Sequence, residues 1–157
     1  MAKYSLNNGL GGAGQAITGT YKTLLAATAQ TTSLRRIKVY DVLIGTIGTP
    51  ADQTYEWDVS RQTAAGTSTA ITPVALDPAD AAAFTVGSAN FTAEGTITAT
   101  SSVFYVGINQ RASYRWVSAP GSELVGPATN LAGFALRVRS VSGGTATTTG
   151  AFLVEEQ

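Results

Sequence analysis

Short stretches of period-two apolar alternation, separated by turns rich in Gly, Pro, Ser and Asn, run from residue 21 almost to the C-terminus of this 157-residue chain. Successive side chains of a strand point to opposite faces, so such stretches fold as half-buried strands. Gln53–Gln62 is the cleanest: Tyr55, Trp57 and Val59 share one face, and Thr54, Glu56, Asp58 and Ser60 share the other. In Leu34–Ile44 the first half alternates, with Ile37 and Val39 opposite Arg36, Lys38 and Tyr40. Its second half is apolar on both faces, as in a strand that passes from an exposed edge into a covered region. Further strands are expected at Tyr21–Thr28, Gly95–Thr100, Val103–Asn109, Tyr114–Ser118, Leu131–Val141 and Thr147–Glu155, and a short strand or extended segment at Thr69–Ala75. The pattern continues to within a few residues of Gln157, which ties the C-terminus into a sheet. Many short strands without βαβ alternation make an all-β chain, an antiparallel β-sandwich or jelly roll.

Two segments depart from the pattern. Asp77-Pro78-Ala79-Asp80-Ala81-Ala82-Ala83 has a capping Asp, a Pro at the first helical position and a run of Ala, which predicts one short helix near 77–84. Residues 1–20 hold adjacent Asn residues and a string of glycines. They read as an extended arm outside a β-sandwich domain of residues 21–157, with Asn7, Asn8, Gly9, Gly11, Gly12 and Gly14 ordered by a partner chain. The glycine string is not a phosphate loop, since no Gly-Lys-Ser/Thr closes it.

Composition narrows the chemistry. The chain has no Cys and no His, which excludes disulfides, thiolate nucleophiles, His-metal sites and a Ser-His-Asp triad. Ten basic residues balance ten acidic ones, unlike a protein that binds nucleic acid non-specifically. No apolar run is long enough to cross a membrane, and no secretion signal is visible at the N-terminus. Ala, Gly and Thr supply 65 residues, so few long charged side chains cover the surface. Neither a nucleic-acid nor a membrane partner is expected, and neither is a cofactor.

Glu56 and Asp58 share a strand face, the arrangement of a glycosidase pair or a calcium ligand set, but also of an ordinary solvated face, which is the preferred reading. Asp41 lies in an apolar half-strand and needs a basic partner: Arg36, Arg111 or Arg115. Seven of the ten basic residues are Arg, the cation favoured at protein interfaces. Arg35, Arg36, Arg111, Arg115, Arg137 and Arg139, with Trp116, form the candidate interface. Tyr114-Arg115-Trp116 ahead of Ala119-Pro120-Gly121 is open to sugar stacking, although Trp57 and Trp116 read better as core or interface anchors. No catalytic or metal-binding residue is assigned, and the chain is not expected to be an enzyme.

Leu34-Arg35-Arg36-Ile37-Lys38-Val39-Tyr40-Asp41-Val42-Leu43-Ile44-Gly45-Thr46, followed by Pro50-Ala51-Asp52, resembles a family of small virion proteins of tailed bacteriophages. So do Ala64–Ala70, Leu76–Asp80, and Asn109–Trp116 with Ala119-Pro120-Gly121, so the resemblance spans about residues 34–121. It rests on texture and segment order, without a catalytic signature. It implies a β-sandwich or jelly-roll structural protein of the phage particle, made in the bacterial cytoplasm. Within that family the implied role is a capsid decoration (cement) protein on the outer shell. Such proteins are homo-oligomers, often homotrimers, whose partners are further copies and the major capsid protein or other virion proteins. Tail and head-fibre components, including glycan- or protein-binding modules, are the alternative.

Overall fold

The computed structural model describes residues 1–144 and 146–157. Among the described residues, twelve strands form two antiparallel six-stranded sheets that pack face to face, so the β-sandwich is as expected. In chain order they are β1 (Lys3–Asn7), β2 (Lys22–Ala29), β3 (Ile37–Ile47), β4 (Thr54–Ala64), β5 (Thr67–Ile71), β6 (Val74–Ala75), β7 (Thr85–Ala93), β8 (Thr96–Asn109), β9 (Tyr114–Val117), β10 (Leu124–Val125), β11 (Gly133–Ser140) and β12 (Thr147–Glu156). Sheet A runs β10-β3-β12-β1-β6, with β9 also paired to β3 beside β10. Sheet B runs β5-β7-β2-β11-β4-β8.

The pairing is nested. The first strand meets the last, β1 with β12, and the second meets the next to last, β2 with β11. Outside these lie β3 on β12 and β4 on β11, then β9 and β10 on β3 and β8 on β4. The segment between β4 and β8 supplies β5, β6 and β7, which extend the two sheets on the far side.

The core fills the space between the sheets, and the period-two rows of the sequence point into it. Tyr55, Trp57 and Val59 of β4, Phe134, Leu136 and Val138 of β11, and Phe152 and Val154 of β12 are all buried. Ile37 and Val39 of β3 point the same way. A bulge then intervenes, where Leu153 pairs with Asp41 and Val154 with Val39. The bulge explains why the second half of β3 lacks clean alternation: it shifts the register, so that Val42 and Ile44 face the core while Leu43 is exposed.

The N-terminal arm is a correction. Lys3–Asn7 pairs with β12 over five residues and with β6 on its other side, so β1 lies inside sheet A. Tyr4 and Leu6 belong to the core, and so does Ile17. Tyr4 and Leu6 already show the period-two spacing, but the run is short and the glycines beyond it dominate the local composition. Asn8–Gly11 makes a single 3-10 turn, capped by the Asn7 side chain, which accepts from the Leu10 N–H. Gly12 then takes a positive φ of 91°, a conformation glycine adopts freely.

The helix near 77–84 is a second correction. Asp77 does cap a turn, accepting from the Ala79 N–H at 2.9 Å through its side chain and from the Asp80 N–H at 3.0 Å through its carbonyl. The turn goes no further, because nucleating a helix is costly and a few residues cannot repay it. Tertiary bonds take the backbone instead: the Tyr4 hydroxyl donates to the Ala81 carbonyl, and Glu156 accepts from the N–H and hydroxyl of Thr85.

The two expected strands at 95–100 and 103–109 are one strand, β8, and β7 and β10 were not expected at all. The inward row of β7 includes Gly87 and Ala89, which give no apolar alternation. A Cβ on Gly87 would press on Ile71 and Leu6, so the close approach of β1 and β5 explains the small residue.

Candidate functional site

The residues expected to form one interface are distributed over the sandwich. Arg137 and Arg139 lie on the outer face of sheet B, directly across from Asp58 and Glu56 of β4. Arg137 donates to Asp58 through Nε at 2.8 Å, and Arg139 donates to Glu56 through Nε at 2.5 Å. Both guanidinium groups also lie over the Tyr21 ring, 4.7 and 4.9 Å from its centroid. Glu56 and Asp58 are therefore each held by their own arginine. Asp58 is buried and further accepts from the hydroxyls of Ser60 and Ser102. The cluster acts as a register lock between β4 and β11, since a one-residue slip would put arginine opposite a neutral side chain.

The Arg139 guanidinium, helped by the Tyr105 hydroxyl, holds the Glu56 carboxyl below its usual value near 4.5. A carboxylate with a depressed folded pKa adds stability above its unfolded pKa and loses it as the pH falls through the folded one. Glu56→Gln should thus lower the Tm at neutral pH, and the difference should shrink as the pH drops below about 4.5. Thermal melts of both chains across that range check this; a pH-independent difference would contradict it.

On the outer face of sheet A, Arg115 of β9 holds Asp41, and its Nε lies within 3.1 Å of both carboxylate oxygens. Of the three arginines the sequence offered to Asp41, this is the partner because β9 pairs with β3 and sets Leu43 opposite Arg115 and Asp41 opposite Val117. The remaining three candidates are apart from these: Arg35 and Arg36 are neighbours just before β3, and Arg111 is distant from both. Arg35 stacks over Phe84 at 5.4 Å, and the backbone of Arg36 pairs with Gln157. Arg111 sits in the turn after β8, at the other end of β3. None of the described ion pairs uses Arg35, Arg36 or Arg111.

Trp57 is a core residue, whereas Trp116 is half-buried at the rim, 6.2 Å from the Phe104 ring, with Tyr114 on the same phenylalanine at 6.0 Å. Trp116 therefore packs β9 against β8 within the chain.

Two clefts open on the outer side of sheet A. The larger, about 570 Å³, has Leu43, Gly45 and Ala151 among its lining, with Pro50 and Gln110–Ser113 alongside. Arg111 is its only titratable lining residue, so it offers no acid–base pair. The smaller, about 280 Å³, is lined by Lys3, Lys38, Tyr40 and Glu155 among others. Among the described residues no group of three or more Asp or Glu side chains could hold a metal ion.

The partner-ordered arm residues have internal roles. Asn8 is fully buried; its amide donates to Asn90 Oδ1 and the Thr148 carbonyl, and its Oδ1 accepts from the Gly150 N–H. One side chain thereby links β7, β12 and the first turn. Asn7 caps the 3-10 turn, Gly9 and Gly11 lie within it and Gly12 follows it. Gly14 passes so close to β12 that a Cβ would meet Thr147 and the Thr148 carbonyl. The sequence signal was the paired Asn7-Asn8, which fits a turn as readily as a flexible tail.

A scan against protein-family models found no match, and searches of curated proteins and of solved structures found no significant match either.

Proposed function

We propose that this chain is a structural protein of a tailed-phage particle, bound to the outer capsid shell as a homo-oligomeric decoration protein that stabilises the head. The observation that carries the reading is the nested strand pairing. First with last, second with next to last, and so outward is the wrapping of a jelly roll, an architecture used by viral capsid domains and also by lectins and cupins. Fold alone does not assign function. The resemblance of residues 34–121 to small virion proteins adds to it, and so does the chemistry: carboxylates tied up by arginines and a principal cleft without an acid–base pair. Particles assembled from the genome that encodes this chain test the reading. Antibodies raised against the purified chain should label their heads, and heads lacking it should rupture at lower temperature. Label confined to the tail or to head fibres would favour the alternative role, and absence of the chain from the particles would overturn the proposal.

A further inference from the structure

We propose that the outer edge of β8 docks against the same edge of a second copy of this chain, so that sheet B continues across a two-fold axis into its counterpart. This inference does not depend on the virion reading.

A sheet edge presents unpaired N–H and C=O groups, and folded proteins shield such edges with short strands, charges, proline or bulges. Three of the edges here are shielded. β6 has two residues and follows Pro73. The edge beside β3 is split between the short β9 and β10 and carries Arg115. β5 has five residues, with a register shift between Thr67 and Thr69. β8 is the exception: 14 residues long, paired among the described residues only with β4, and without a single charge or proline. Its first part, up to Val103, is irregular, with three register shifts against β4, Thr100 at a φ of 56° and the Ser101 hydroxyl bonded back to the Thr98 carbonyl, so the open edge is the remainder. The regular part is Phe104–Asn109, Phe-Tyr-Val-Gly-Ile-Asn, rich in residues that favour strands.

The composition of this edge selects the occupant. An uncharged strand laid antiparallel on itself brings no like charges together and leaves none without a counterpart. A two-fold axis normal to the sheet also keeps the faces in order, so outward side chains meet outward ones and inward meet inward. Tyr105 and Val103 are 58% and 37% exposed, while Phe104, Val106 and Ile108 are only partly buried at the sandwich rim. With the axis at Val106, Phe104 faces Ile108 of the other copy and extends the core across the junction. Tyr105 then faces Gly107, which leaves open space for its ring, a pairing known to restore stability lost at a strand glycine.

The contact joins copies two by two, so the mass of the native chain in sedimentation should be an even multiple of the monomer. Tyr105→Lys places like charges on neighbouring strands and should halve that mass while the chain still unfolds cooperatively, whereas Thr69→Lys on the β5 edge should leave the mass unchanged. A trimer, or a mass insensitive to Tyr105→Lys, would overturn the inference while leaving the virion reading standing; a native monomer would overturn the inference and the homo-oligomeric part of that reading together. Because the chain has no Cys, a short thiol crosslinker can read the register. Mixed Tyr105→Cys and Gly107→Cys chains should be captured as dimers; capture of Tyr105→Cys alone, and not of the mixture, would overturn the Val106-centred pairing.

Discussion

Removal of residues 1–7 is expected to abolish cooperative unfolding of the isolated chain. These residues are few, but β1 stands between β12 and β6, and Tyr4 and Leu6 are buried in the core. Withdrawing two large buried side chains costs on the order of 2–5 kcal/mol each once the cavity is counted. The total stability of a domain is typically about 5–15 kcal/mol. The deletion also exposes the edge of β12, whose five bonded partners are lost together, and it opens the site where the Tyr4 hydroxyl meets the Ala81 carbonyl. Circular dichroism melts check the expectation. A truncated chain that melts at the native temperature would show that sheet A closes without β1 and that the segment behaves as a detachable arm.

The second large effect is expected for Asp58→Ala. Asp58 is buried and accepts from Arg137, Ser60 and Ser102, while the Arg137 side chain is itself largely covered. A buried ion pair need not stabilise a fold relative to apolar residues, but removing one partner leaves the other charged and unmatched, at about 3–5 kcal/mol. For a chain of this size that corresponds to a fall in Tm of roughly 10 °C. Arg137→Met in the same background removes the stranded charge and should recover part of the loss. Melts of the single and double variants read both effects. A loss below about 1 kcal/mol would place the pair among the weakly contributing surface bridges instead.

These two residues sets also show how much could be read in advance. Tyr55, Trp57 and Val59 declared β4 and its buried face, and the strands from β2 to β12 that carry large apolar rows were all legible, with ends displaced by a few residues. Strands that bury small residues were not. β7 turns Gly87 and Ala89 inward because Leu6 and Ile71 already occupy the space, and a glycine in a sequence carries no mark of what approaches it. Asn8 failed for the same reason: an Asn beside glycines favours a loop locally, and only the arrival of Asn90, Thr148 and Gly150 makes it a buried junction.

Charge followed the same division. That Asp41 required an arginine was legible from its apolar neighbours; that Arg115 supplies it depends on β9 lying beside β3. Glu56 and Asp58 shared a face by period alone, but their arginines lie about 80 residues away in the chain, and only the antiparallel register of β4 and β11 brings them opposite. Likewise, the lack of charge along Phe104–Asn109 is written in the sequence, whereas its position at an open edge is not. By itself, then, the sequence determined the all-β class, most strands and their inward faces, because period and turn chemistry are local. The tertiary structure decided which strands pair, the place of β1, the partner of each buried charge and the exposure of β8, because each depends on contacts between residues distant in the chain.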